Sequence, residues 1–144
     1  MKKLTKYTLK KEKTDIERVQ ITCSKDAYKF CLKFYSDDID VYESVFALFL
    51  DNTGNTIGYA KIAQGGVSTS IVDVPLIVKY AIESLSVGVV LCHNHPTGNL
   101  NPSVSDIKTS NAVKHSLTLI GINFYDNIII SKNHYYSFFE NNQL

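Results

Sequence analysis

The fold turns on Val87-Gly88-Val89-Val90-Leu91-Cys92-His93-Asn94-His95-Pro96-Thr97-Gly98-Asn99-Leu100-Asn101-Pro102-Ser103-Val104-Ser105-Asp106. Val87 to Cys92 is an apolar run too short for an independent helix and suited to a buried strand, which delivers the chain directly into His93. Pro96, Gly98 and Pro102 then shape a loop. Ser103 is placed to cap a helix that ends before Gly121, a glycine suited to a helix C-terminus. Strand, shaped loop and helix in that order predict an α/β layer with polar side chains gathered at the strand's exit.

The same patterns extend in both directions. Upstream, Asp73 caps a helix with Pro75 in its first turn, running to about Ser86 with Val78, Ala81, Ile82 and Leu85 as its buried stripe. Before it, Val45–Leu50 and Thr56–Ile62 form a hairpin around Asp51-Asn52-Thr53-Gly54-Asn55, followed by a loop at Gly65-Gly66. Glu17–Thr22 alternates polar and apolar and suggests a short strand. Ser24 then caps a helix over about 25–35, with Ala27, Phe30, Cys31 and Phe34 on one face, and Asp37-Asp38-Ile39-Asp40 breaks the pattern. Downstream, Asn123–Ile130 and Tyr135–Phe139 read as strands around Lys132-Asn133-His134. With two hairpins among interleaved helices, the fold class is α/β (α+β), a mixed sheet sandwiched by helices.

Two residues apart on an extended segment, His93 and His95 face the same way, while Asn94 points elsewhere. Imidazole nitrogens are favoured zinc donors, and a carboxylate completes a His₂–carboxylate set with room for water. Asp106 supplies that carboxylate if the loop doubles back. Ser103-Val104-Ser105-Asp106 also reads as a capping box, in which Asp106 serves only its own helix. Cys92, one residue before His93, falls on the opposite strand face and belongs to the core. His115, nine residues after Asp106 on the same helix, lies on its far side, and His134 sits in a turn.

His-x-His, seven residues, Ser, two residues, Asp: this spacing resembles the JAMM (MPN-plus, JAB) metalloprotease signature. The wording His93-Asn94-His95-Pro96-Thr97-Gly98, then Pro102-Ser103 and Asp106, resembles its RadC-like bacterial branch. The similarity extends over roughly residues 43–140, taking in Phe49-Leu50-Asp51 and Leu119-Ile120-Gly121-Ile122. Thr97 stands where the branch usually has serine, and Cys92 where it has alanine. The resemblance implies a cytidine-deaminase-like JAB/MPN architecture and a zinc ion on His93, His95 and Asp106. It implies a general-base glutamate near the first hairpin strand, the place of Glu43, with Glu83 as fallback, and oxyanion donation by Ser103. Zinc lowers the pKa of bound water from its bulk value to about 7, on the order of 12 kcal/mol of hydroxide stabilisation. The implied activity is hydrolysis of a peptide or isopeptide bond in a protein substrate.

Composition sets the remaining limits. The 144 residues suit one domain, expected over 16–144 behind a tail at 1–15. No apolar stretch approaches the roughly 18 residues of a membrane span, and the charged Lys10-Lys11-Glu12-Lys13 stands where a signal peptide needs apolar residues; a cytoplasmic protein is expected. Cys23, Cys31 and Cys92, odd in number and without a CxxC pair, argue against a disulfide framework. Residues 1–35 hold ten Lys/Arg against four Asp/Glu, so Lys2, Lys3, Lys6, Lys10, Lys11 and Lys13 offer either a solvated arm or contacts to nucleic-acid phosphates. That leaves a DNA-repair accessory or nuclease as the second expectation and a binding module with an inert metal site as the third. The helix-hairpin-helix type module common ahead of RadC-like domains does not fit in the roughly 40 residues before Glu43, which argues against duplex binding.

Overall fold

The computed structural model describes residues 1–7, 10–65 and 72–144; Gly66, in the expected loop after the hairpin, lies outside them. Five strands form one sheet in the order β2-β1-β3-β4-β5: β1 Ser44–Leu50, β2 Thr56–Gln64, β3 Gly88–Asn94, β4 Asn123–Ile130 and β5 Tyr135–Ser137. The β3/β4 pair is parallel and the other three pairs are antiparallel, so the sheet is mixed as expected. Helix α1 (Ser24–Cys31) covers one face, and α2 (Val74–Glu83) with α3 (Val104–Leu119) covers the other.

Strand alternation divides the core into two. Phe46, Leu48 and Leu50 of β1 pack with Val90, Cys92, Ile128 and Ile130 beneath Ala27, Phe30 and Cys31 of α1. Val45, Ala47 and Phe49 turn the other way and meet Val89 and Leu91, with Ile77, Ala81, Val113 and Leu117 from α2 and α3. β1 and β3 are buried along their whole lengths because each face carries a helix. Burying each Leu, Ile, Val or Phe of these layers stabilises the fold by about 1.5–3 kcal/mol.

Some expectations shift. Glu17–Thr22 forms no strand, only a single bridge from Gln20 to Asn55 at the hairpin turn. Ser24 is the first residue of α1 and not its cap; Thr22 N and Oγ1 instead bond Asp26 Oδ2, at 3.0 and 2.6 Å. The Ser24 hydroxyl is drawn inward, donating to the buried Asp126 Oδ2 at 2.7 Å. The buried stripe of α2 is Ile77 and Ala81, not Ile82 and Leu85, which are exposed. Ile82 lies within the helix on its outer side, and Leu85 falls beyond an early stop. Ser86 N reaches Ala81 O and Leu85 N reaches Ile82 O, a Schellman ending that turns Leu85 into the left-handed region at φ 55°. Helix α3 ends in the same way at Gly121, φ 75°, as its glycine predicts. The last strand stops at Ser137, short of Phe139. No helix among the described residues is long and apolar enough to cross a membrane.

Candidate metal centre

Antiparallel register brings the site together. Val45 of β1 pairs with His93 of β3, so Glu43, two residues ahead of Val45, falls opposite His95. The Glu43 Oε1 to His95 Nε2 distance is 4.0 Å. Beyond His95 the chain reverses: Gly98 N donates to His95 O at 2.9 Å, and Gly98 sits at φ 77°, where a side chain is disfavoured. The His95 Nδ1–H donates to the Asn99 carbonyl at 2.6 Å. A carbonyl only accepts, so this bond fixes the ring's tautomer and leaves Nε2 facing inward.

The returning loop sets Asp106 in the first turn of α3, against both rings. Its Oδ1 is 3.3 Å from His93 Nε2 and its Oδ2 is 3.2 Å from His95 Nε2. The capping box is present too: Asp106 Oδ2 accepts from Ser103 N at 2.8 Å, and Ser103 Oγ accepts from Asp106 N at 3.0 Å. The two uses of Asp106 that the sequence leaves open therefore coexist, because a carboxylate has acceptor sites for both. Burial opposes ionisation of Asp106, but the two imidazoles and the Ser103 amide prevail and hold its carboxyl well below the usual carboxylate range. Reciprocally, Asp106 raises the pKa of His95 against partial burial, with help from the Asn99 carbonyl.

Donor atoms of Glu43, His93, His95 and Asp106 all lie within 4.8 Å of one another. His93 is only 5% exposed, and its buried Nε2 has no hydrogen-bond partner among the described residues despite the nearby carboxylate. Such an orphan costs about 1–3 kcal/mol, and a bound cation removes the cost. Two imidazoles with one or two carboxylates are a donor set suited to a divalent ion. A cavity of about 50 Å³ adjoins them, lined among others by Glu43, Leu91, His93, Ser103, Asp106 and Asn127.

A RadC-like JAB domain model matches residues 21–144. The chain belongs to the RadC-like JAB domain family. Among curated relatives, a UPF0758 protein of Flavobacterium johnsoniae is 36% identical over 119 residues, 83% of this chain and 51% of that protein. A UPF0758 protein of Porphyromonas gingivalis is 35% identical over 122 residues, 84% of this chain and 53% of the relative. Another, from Lactococcus lactis subsp. lactis, is 35% identical over 127 residues, 88% and 56%. This RadC-like domain spans about half the length of the curated relatives it matches.

The other candidates of the RadC-like domain fall outside the cluster. Glu83, the fallback base, is the last residue of α2 and lies 4.0 Å from Lys79 Nζ, one turn back. Exposed His115 and His134 take no part in the cluster, and Cys92 is fully buried under α1. Two polar residues close to the site escape a sequence search for ligands. Asn127, 2% exposed on β4, lines the cavity with a buried Oδ1 that has no hydrogen-bond partner among the described residues. Asn94 turns to the opposite face. Its spacing shows the direction but not what it meets there.

Proposed function

We propose that this RadC-like JAB domain is a zinc-dependent hydrolase of amide bonds, acting on a peptide or an isopeptide-linked protein. The observation that supports it most is the convergence of His93, His95 and Asp106 donors with the Glu43 carboxylate inside one 4.8 Å cluster. His93, His95 and Asp106 would hold the ion. Zinc supplies Lewis acidity, which brings the ionisation of water down to about pH 7 and polarises a carbonyl.

The chain's own groups do the rest. Glu43, whose Oε1 stands 4.0 Å from His95 Nε2, accepts the proton of the attacking water and passes it to the leaving amine. Ser103 Oγ accepts the Asp106 amide, which leaves its single hydroxyl proton to donate to the developing oxyanion. The Asn99 carbonyl holds His95 in the tautomer that presents Nε2. The proposal of an amide substrate rests on the resemblance to the JAMM metalloprotease signature, since the same ligands serve any metal-assisted hydrolysis.

The test compares the zinc-loaded protein with Glu43→Ala on peptide, isopeptide-linked and DNA substrates. We expect amide cleavage by the wild type, with Glu43→Ala keeping its zinc and losing about 10²–10⁴-fold in turnover. Unchanged turnover in Glu43→Ala removes that residue from the base role. Cleavage of DNA alone, weakening with salt and with removal of residues 1–13, favours the repair-associated alternative. Stoichiometric zinc with no hydrolysis favours a binding module.

A further inference from the structure

Asn94 separates the two histidines in sequence and is 0% exposed. Its Nδ2 donates to two carbonyls, Ile39 O at 2.5 Å and Tyr42 O at 2.7 Å, and its Oδ1 accepts from Ser44 N at 2.8 Å. Two acceptors and one donor around one amide fix which end is which. These partners bracket Glu43: Tyr42 precedes it, Ser44 follows it, and Ile39 lies in the turn that leads in. That turn, Asp37–Asp40, is a short 3₁₀ helix, and Val41 and Tyr42 after it are exposed. Ladder pairing begins only at Ser44. Ahead of the strand, Asn94 is therefore a tie between the approach to Glu43 and the sheet interior. Two further bonds reinforce it: Tyr35 Oη donates to Ser44 O at 2.7 Å, and Gly65 N donates to Glu43 O at 2.8 Å.

We infer that Asn94 is a positioning residue, a clamp that holds the Glu43 backbone so that its carboxylate stands against the two histidines on either side of Asn94 itself. The clamp follows from hydrogen bonds already described; its effect on turnover rests on the hydrolase proposal. One residue thereby couples the histidine pair to the acid. His93 and His95 extend from one face of the β3 end and Asn94 from the other, so the distance from acid to imidazole is set by a single rigid segment. No other side chain of this size combines two N–H donors with an acceptor. Aspartate in its place would set a carboxylate against two carbonyl oxygens, and alanine would take this partner from three backbone groups, with the bonds to Ile39 O and Ser44 N lost from the interior.

The experiment uses the full chain loaded with cobalt(II), as wild type, Asn94→Ala, Glu43→Gln and the double variant, with Asn94→Ser carried alongside so that the test stands if Asn94→Ala does not fold. Metal content, amide exchange, visible absorption and turnover are read on each. We expect one cobalt per chain throughout and exchange across residues 39–44 about tenfold faster in the Asn94 variants, with α3 unaffected. The cobalt spectrum should move in the direction seen for Glu43→Gln, and the Asn94 change should add nothing to it in the double variant. On a cleaved substrate, kcat should fall about 10–100-fold with KM nearly unchanged, the size expected for a misplaced catalytic group. Unchanged exchange at 39–44, or additive effects of the two substitutions on spectrum or kcat, overturns the inference. A wild type that hydrolyses nothing counts against the hydrolase alone, since exchange and spectrum still read the clamp.

Discussion

Asp106 shows how one side chain serves structure and chemistry together. It closes the capping box of α3 with Ser103 and faces both imidazoles, so its removal should be felt twice. Asp106→Ala is expected to abolish tight metal binding and to destabilise the metal-free protein in urea, whereas Ser103→Ala should cost about 0.5–2 kcal/mol of stability while keeping the metal. Equal metal retention in both variants would contradict the division of roles. At this scale the sequence is informative where chemistry is local. His93 and His95 are separated by strand spacing, and Pro96, Gly98 and Pro102 announce the return. It is uninformative about Asn94, whose partners Ile39 and Tyr42 stand 55 and 52 residues away and depend on β1 lying beside β3.

At the scale of elements, Asp126 of β4 ties three of them together. It accepts from Ser24 of α1 at 2.7 Å, from Ser137 of β5 at 2.6 Å, and from the Phe139 and Asn127 amides. Burial nevertheless outweighs these bonds and raises its pKa from the ordinary aspartate value. The native state therefore binds this proton more tightly than the unfolded chain does. Its contribution is greatest below about pH 4 and is lost as pH rises through the folded value. Urea midpoints across that window should improve for Asp126→Asn relative to wild type as pH rises; a constant difference would show that burial does not govern this group.

Helix endings give a second test. Leu85 is 84% exposed and left-handed at φ 55°, so Leu85→Gly should relieve backbone strain without losing packing, gaining about 1 kcal/mol. A loss of stability would contradict that account. Gly121 made the end of α3 readable. At α2 a leucine occupies the equivalent turn, so the sequence carries no stop signal there and Leu85 reads as helical. Glu17–Thr22 alternates like a strand but finds only one bridge, since alternation specifies a face and not a neighbour.

For the molecule as a whole, the mixed sheet and its two helical layers were legible from apolar runs and helix periods. The strand order was not. The β1–β2 hairpin is announced by its turn, but nothing local tells β1 to pair with β3 on its other edge, and it is the β1–β3 pairing that sets Glu43 against His95. A metal bound by groups from β3, the loop and α3 should also stabilise the entire fold: at a hundredfold excess over its Kd, zinc should add about 2.7 kcal/mol, reversed by a chelator. Absence of any shift in Tm would mean that the native state does not prefer the metal.

The proposed metal centre requires that His93, His95 and Asp106 share one cation. Equilibrium dialysis against zinc, with metal content measured in the wild type, His93→Ala and Asp106→Ala, tests it most directly. We predict one zinc per wild-type chain and affinity weakened more than about 100-fold in either variant, beyond what loss of a supporting hydrogen bond causes. A wild type that takes up no zinc, or variants that bind it equally well, would contradict the account.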